Sequence, residues 1–267
     1  MDKPTVASVT ADLVAEQDAL DAVVAPLDDD AWELVTPSPG WTVRDQIGHL
    51  AFFDMTAALA ITDPSGFVDH REAFVAAAFA SPDAADDLTL GAARAMTAGD
   101  LLSHWRHHRD ALATAAATCA EDARIEWYGP SMGAKSFLTA RLMEAWAHGQ
   151  DICDTVGARR PPTDRLRHIA QLGVITRGWT YINRGLEIPA GDVRVALTAP
   201  SGAAWVWGPD TAEGSVTGPA LDFCLVTAQR RNIADVDLDV EGEIAVDWMA
   251  KAQLFAGPAS DPPAPQT

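Results

Sequence analysis

Apolar residues recur at helical spacing along several long stretches of this chain and then give way to short alternating runs. The first stripe covers residues 6–24 and stops just before Pro26, where a ring and a missing N–H oppose further helix. A turn-forming segment, Thr36-Pro37-Ser38-Pro39-Gly40-Trp41, separates it from the second stripe. There Thr42 offers a capping oxygen and Asp45, three residues on, completes a pair like a capping box, so a helix is predicted over 43–61. Residues 62–87 are rich in Asp, Pro and Ser and less regular, with one short helix expected over 72–80. After Gly99-Asp100 a third long helix is expected over 100–119, residues 127–133 read as a loop, and a fourth helix covers 134–156. Four amphipathic helices joined in this way suggest a bundle, with room for a metal between facing helices.

The pattern changes past Gly157, where two arginines and Pro161-Pro162 mark a domain junction. A helix over 164–185 leads into the second part. Alternating or apolar runs at 193–197, 203–207 and 215–217 read as strands bounded by Pro200 and Gly202. A helix from Pro219 to about Arg231, a strand over 237–240 and a helix over 243–255 follow. The Pro- and Ala-rich end reads as disordered. The expected class is therefore α+β: a helical bundle over 1–160, a small α/β domain with its leading helix over 161–257, and a disordered tail over 258–267.

At 267 residues, 48% of them hydrophobic, the chain has the size and composition of a soluble globular protein with a substantial core. No apolar run is long enough to span a bilayer, and Met1-Asp2-Lys3-Pro4-Thr5 lacks the basic-then-apolar pattern of a signal peptide, which points to the cytoplasm. Nineteen basic residues against 38 acidic give a net charge of -19, a field that disfavours nucleic acid and anionic membranes as partners. Cys119, Cys153 and Cys224 are scattered, with no C-x-x-C pair, so neither a disulfide framework nor a cysteine zinc module is expected.

The strongest chemical signal is Glu144 with His148, four residues apart on one predicted helix. That spacing is just over one turn, so both side chains share a stripe and can fill two corners of a zinc-like coordination sphere. The same spacing also makes an ordinary helical side-chain pair, but Leu142, Met143, Ala145, Trp146 and Ala147 make the helix unusually apolar, and a polar pair within it needs compensation. His49, about a hundred residues earlier, is the best candidate for a third ligand. Asp151 lies one turn beyond His148; it either orients a ligand imidazole or carries a proton, or it pairs with Arg141 or another surface cation. His104, His107 and His108 form a rival cluster, but Leu101, Trp105 and Leu112 define the buried stripe there and leave the histidines on a solvated face beside Arg106 and Arg109. Arg230 and Arg231 either complement the dipole at a helix end or supply a guanidinium that grips a substrate carboxylate. Trp205 and Trp207 read as core or pocket walls.

Three segments together resemble the mycothiol-dependent maleylpyruvate isomerase family, a branch of the DinB-like four-helix-bundle metalloproteins. They are Gly40-Trp41-Thr42-Val43-Arg44-Asp45-Gln46-Ile47-Gly48-His49-Leu50, then Glu144-Ala145-Trp146-Ala147-His148-Gly149-Gln150-Asp151, and Val216-Thr217-Gly218-Pro219-Ala220 with Asp222. The resemblance covers nearly the whole chain and implies a sterol-carrier-like C-terminal domain. It implies that His49, Glu144 and His148 hold a zinc-like divalent metal with a fourth position open to water or a thiolate. Arg230 falls where the family has the arginine of a Gly-Arg ending; here Gln229 precedes it and Arg231 follows. The stretch around it is similar to an actinobacterial subfamily of uncharacterised metal-binding members.

The function so implied is a metal-dependent enzyme that uses a low-molecular-weight thiol, mycothiol, for isomerisation or S-transfer on a small electrophilic substrate, such as a carboxylate. A metal-bound thiol loses its proton near neutral pH and becomes a nucleophile. Two other readings stay open: a thiol-independent hydrolase, cyclase or lyase with metal-bound water, and a binding protein for an apolar ligand with a structural metal.

Overall fold

A computed structural model of the chain describes residues 4–266. Residues 1–3, on which the signal-peptide reading partly rests, and residue 267 of the expected tail lie outside the described residues. The chain divides into two compact units, Met1–Arg160 and Pro161–Thr267.

The first unit is helical. Helix α1 (Val6–Val24) begins at a capping box between Thr5 and Ser8. The short α2 (Asp29–Trp32), unforeseen from the sequence, is capped by Asp28 and buries Trp32. Helix α3 (Val43–Thr62) starts at the expected Thr42–Asp45 capping box, whose reciprocal bonds satisfy two otherwise orphaned N–H groups. Helices α4 (Pro64–Ala80) and α5 (Pro82–Arg94) replace the irregular segment and single short helix predicted there. Each has proline in its first turn behind a capping side chain, Asp63 and Ser81 respectively. Proline suits that position because it has no N–H to leave unpaired. Helix α6 (Ala98–Ala116) is capped by Thr97, and α7 (Ala134–Val156) ends at Gly157 in the left-handed conformation. Between them a small ribbon, β1 (Arg124–Ile125) paired with β2 (Met132–Gly133), brackets most of the predicted loop.

Helix α3 packs against α5, α6 and α7, and α1 packs against α6 and α7. Ile47, Leu50 and Ala51 of α3 share one core with Leu101 and Trp105 of α6. Burying each such Leu or Ile contributes about 1.5–3 kcal/mol. The core thus fixes the rotation of α3, and with it the direction in which His49 points.

The second unit has a four-stranded sheet of order β4-β3-β5-β6, where β3 is Val193–Thr198, β4 Ala204–Trp207, β5 Gly214–Pro219 and β6 Asp239–Glu241. Strands β3 and β5 run parallel in the register Val195↔Val216, and the outer pairs are antiparallel. Val193, Val195 and Leu197 alternate inward along β3, as one buried face demands. The chain is therefore an α+β protein.

Three helices here are shorter than the sequence predicts. The single helix expected over 164–185 is α8 (Leu166–Ile175) followed by α9 (Arg177–Ile182). They part at Thr176, whose hydroxyl bonds back to the Leu172 and Gly173 carbonyls. Helix α10 (Ala220–Thr227) and helix α11 (Glu243–Met249) also stop early. The end of α10 is a Schellman motif: Arg230 N–H bonds to Leu225 O at 2.7 Å and Gln229 N–H to Val226 O at 3.0 Å. Beyond α11 the chain turns so that Leu254 N–H reaches the Thr227 carbonyl at 3.0 Å. The described part of the terminal stretch, expected to be disordered, has no helix or strand, but it is tied down by side chains of Asn183, Arg184, Gln229 and Asn232.

Candidate metal centre

Two facing helices bring together the three residues singled out as ligands. His49 projects from α3, and Glu144 and His148 from successive turns of α7. Glu144 Oε2 lies 3.2 Å from His49 Nε2 and 3.0 Å from His148 Nε2. One ligating atom from each of the three lies within 4.8 Å of the others, and among the described residues this is the one such cluster of His, Cys, Asp or Glu found. Ligands held about 2.0–2.1 Å from one ion in a tetrahedral array sit about 3.3 Å apart, and the two separations from Glu144 are close to that. Two imidazole nitrogens and a carboxylate oxygen also suit a borderline divalent ion.

The cluster is half-buried, with side-chain exposures of 17% for His49, 24% for Glu144 and 11% for His148. Burial, followed by the neighbouring His148, lowers the His49 pKa to about 4, with Glu144 pulling the other way. Burial pushes Glu144 up, but hydrogen bonds from His148 and His49 outweigh it and hold the carboxyl well below its ordinary value. A carboxylate that stays ionised near neutral pH is a ready metal ligand, because it need not first lose a proton.

Aromatic rings frame the cluster. Trp41 stacks on His148 with centroids 5.8 Å apart and tilts over His49 at 5.0 Å. Phe53, one turn after His49, lies 4.6 Å from the same imidazole. Beneath it, Arg141 and Asp54 form a buried ion pair at 3.0 Å, and Asp54 also accepts from Gln17 and Trp105.

Arg141, one of the cations considered as a partner for Asp151, bonds to Asp54 instead. Asp151 is buried and accepts from Ser38 at 3.1 Å, and its Oδ2 stands 4.0 Å from His148 Nδ1. The nearer partner of that nitrogen is Gln46 Oε1, in hydrogen-bond contact. Gln46 has no role in the sequence reading. The available signal was its place one turn before His49 on the same helix, where a polar side chain is set to reach a facing ligand.

Arg230 lies in the second unit, just past α10, with its Nη1 donating to the Ala228 carbonyl at 2.7 Å; Arg231 donates to Arg230 O at 2.6 Å. The rival histidines are on α6, where His104 and His108 meet edge-on at 4.3 Å. Trp205 is buried, and Trp207 donates to Gln171 at 2.7 Å.

Fold and site define a class: α+β proteins whose helical bundle gathers two histidines and a glutamate between facing helices. Residues 13–153, more than half of the chain, match the family described as mycothiol maleylpyruvate isomerase N-terminal domain. The chain belongs to that family. An uncharacterised protein of Mycobacterium tuberculosis strain H37Rv is 45% identical over 253 residues, covering 93% of this chain and 95% of its own. An uncharacterised protein of strain CDC 1551 / Oshkosh matches to the same extent. Among solved structures, mycothiol-dependent maleylpyruvate isomerase superposes with a TM-score of 0.56 at 18% identity, over 86% of this chain and 90% of that one. A histidine-to-alanine mutant of such an isomerase gives 0.57 at 19% identity, with the same coverage. At that identity the likeness carries the fold.

Proposed function

We propose that His49, Glu144 and His148 hold a divalent metal, zinc by the character of the donors, and that the chain is a metal-dependent isomerase or thiol S-transferase acting with mycothiol on a small electrophile. The observation that carries this reading is the convergence of two imidazole nitrogens on one carboxylate oxygen at 3.0 and 3.2 Å, in a chain of the maleylpyruvate isomerase family. Such an ion, when bound, lowers the pKa of a coordinated thiol and so supplies a nucleophile at neutral pH.

The chain's own residues have separate tasks in this reading. His49, Glu144 and His148 orient the ion and set its net charge. Trp41 and Phe53 wall the imidazoles and limit the water that competes for the nucleophile. Asp151, buried with its Oδ2 4.0 Å from His148 Nδ1, is assigned the role of proton carrier, with the Ser38 hydroxyl as its exchanging partner. Arg230 is assigned the carboxylate of the substrate, a role for which a guanidinium is suited by its paired donors.

Elemental analysis of the purified chain tests the reading. About one equivalent of metal is expected in the wild type, and a large loss in His49→Ala and His148→Ala with the circular dichroism spectrum kept. Full retention in both variants would refute it. Metal-dependent binding of mycothiol then separates thiol chemistry from the thiol-independent hydrolase, cyclase or lyase reading. One observation favours an apolar-ligand reading of the second unit: an open groove of about 510 Å³ at the carboxyl ends of β3 and β5, lined mostly by apolar groups such as Pro162, Pro200, Pro219 and Leu221, with Thr198 and Asp237 beside them.

A further inference from the structure

We propose that Gln46 is a positioning residue that fixes which nitrogen His148 turns toward Glu144, through a run of hydrogen-bond directions anchored on the backbone carbonyl of Trp41. The run begins at a group whose role cannot change. A carbonyl only accepts, so Thr36 Oγ1, 2.9 Å from Trp41 O, spends its single proton there. With that proton committed, Thr36 Oγ1 can only accept from Gln46 Nε2, also 2.9 Å away. The same Nε2 lies 3.5 Å from Asp151 Oδ2, an oxygen that Ser38 also approaches at 3.1 Å.

Both neighbours of Nε2 therefore call for a donor, and the amide has one orientation. Its Oε1 faces His148 Nδ1 in hydrogen-bond contact. An amide oxygen has no proton to give, so Nδ1 carries one, whether or not the ring takes a second. The other imidazole nitrogen, Nε2, is the one presented to Glu144 Oε2 at 3.0 Å. Flipping the amide would set its oxygen against the Asp151 carboxylate and against a hydroxyl whose proton is already used. Water offers no relief, since Gln46 is 0% exposed, Asp151 3% and Thr36 6%.

The consequence for metal affinity rests on the metal reading proposed above; the tautomer does not. A ligand histidine with its second nitrogen held by a fixed acceptor keeps its ring orientation and its lone pair in place. Gln46 acts on the ion through His148 and touches no reacting atom. Gln46 Oε1 is the nearer acceptor for His148 Nδ1, with Asp151 Oδ2 at 4.0 Å from the same nitrogen.

The test uses the full chain with ¹⁵N-labelled histidine, stripped of metal, as wild type, Gln46→Leu and Gln46→Glu. The ring nitrogen shifts of His148 are identified by their loss in His148→Ala, and Zn²⁺ binding is measured by competition with a chromophoric chelator. The metal-free wild type is expected to show Nδ1 protonated. Gln46→Leu is expected to lose that bias and to bind Zn²⁺ about 10–100-fold more weakly. Gln46→Glu, which keeps an acceptor oxygen, is expected to retain the tautomer and to bind Zn²⁺ more tightly than Gln46→Leu. Melting curves separate this pattern from a general loss of stability, which would leave the shifts unmoved. An unprotonated Nδ1 in the wild type overturns the proposal, as does a Gln46→Leu protein with unchanged tautomer and affinity. Should Gln46→Leu fail to fold, the wild-type and Gln46→Glu shifts still decide. Absence of Zn²⁺ binding by the wild type would sink the metal reading, while the shifts judge the relay independently.

Discussion

Gln229 holds a left-handed backbone, φ 56°, the one positive value at a non-glycine position among the described residues. It sits at the position after the cap of α10 where the Schellman motif favours glycine, because a Cβ there crowds the following carbonyl. A glycine would adopt this conformation without strain. Here the side chain offsets the strain: Nε2 donates to Ala252 O at 3.1 Å and to Ser260 O at 2.9 Å, and Oε1 accepts from Ser260 Oγ at 2.7 Å. Gln229→Ala keeps the strained backbone and loses all three bonds, each of which contributes about 0.5–1.5 kcal/mol. Gln229→Gly loses the same bonds but relieves the strain, so it is expected to be about 1 kcal/mol more stable than Gln229→Ala in urea denaturation. Equal stability of the two variants would show that the backbone there is unstrained. At this scale the Glu144/His148 pair is legible in the sequence, because the pitch of one helix sets it. Gln46 is marked there only by its place one turn before His49, and the Arg141–Asp54 pair not at all, since the partner of each depends on how two helices meet.

At the scale of elements, Gly48 shows how a site can depend on a residue that touches no ligand. Glycine inside a helix costs roughly 0.5–1 kcal/mol relative to alanine, so its presence in α3, directly before His49, requires a reason. A Cβ built on Gly48 would lie 2.6 Å from Ala93 Cβ of α5. The glycine lets α5 lie directly on α3, on the part of the helix that carries His49. Gly48→Ala gains helix propensity but forces the two helices apart, and overpacking of this kind typically costs about 1–3 kcal/mol. The expected outcome is a net loss of stability in thermal or urea unfolding, with a smaller loss in Gly48→Ala/Ala93→Gly, where the clash is removed. A stabilised single variant would mean that α5 does not press on α3 there. The sequence reads well where a stripe and its ends agree: α1 and α7 have the predicted limits. It reads poorly at α4, whose alanine-rich segment lacks a clear apolar period, and at α5, a short helix opened by proline and rich in aspartate. The signal present there was local, in Asp63-Pro64 and Ser81-Pro82, a capping side chain followed by proline.

Across the whole molecule, the response to acid sets two effects against each other. The net charge of -19 means that the folded chain repels itself at neutral pH, and protonation on the way down relieves that repulsion. Against this stands His108 on α6, whose pKa falls from 6.5 to about 4 through burial first and then the nearby His104 and His107. His108 takes a proton less readily in the folded chain than in the unfolded one. Its contribution is therefore complete above about pH 6.5 and is lost as the pH falls toward 4. Because the side chain is only partly buried, solvent screening reduces the full linkage value to about 1 kcal/mol. The comparison that isolates it is wild type against His108→Gln, melted in chelator at pH 7.5 and pH 5. Repulsion changes almost equally in both, so it cancels in the difference. A little over half of that contribution is lost by pH 5, so the wild type is expected to lose about 1–2 °C more than the variant over that interval. Parallel curves would show that His108 titrates as freely in the folded chain as in the unfolded one, and would return the α6 histidines to the solvated face that the sequence predicts.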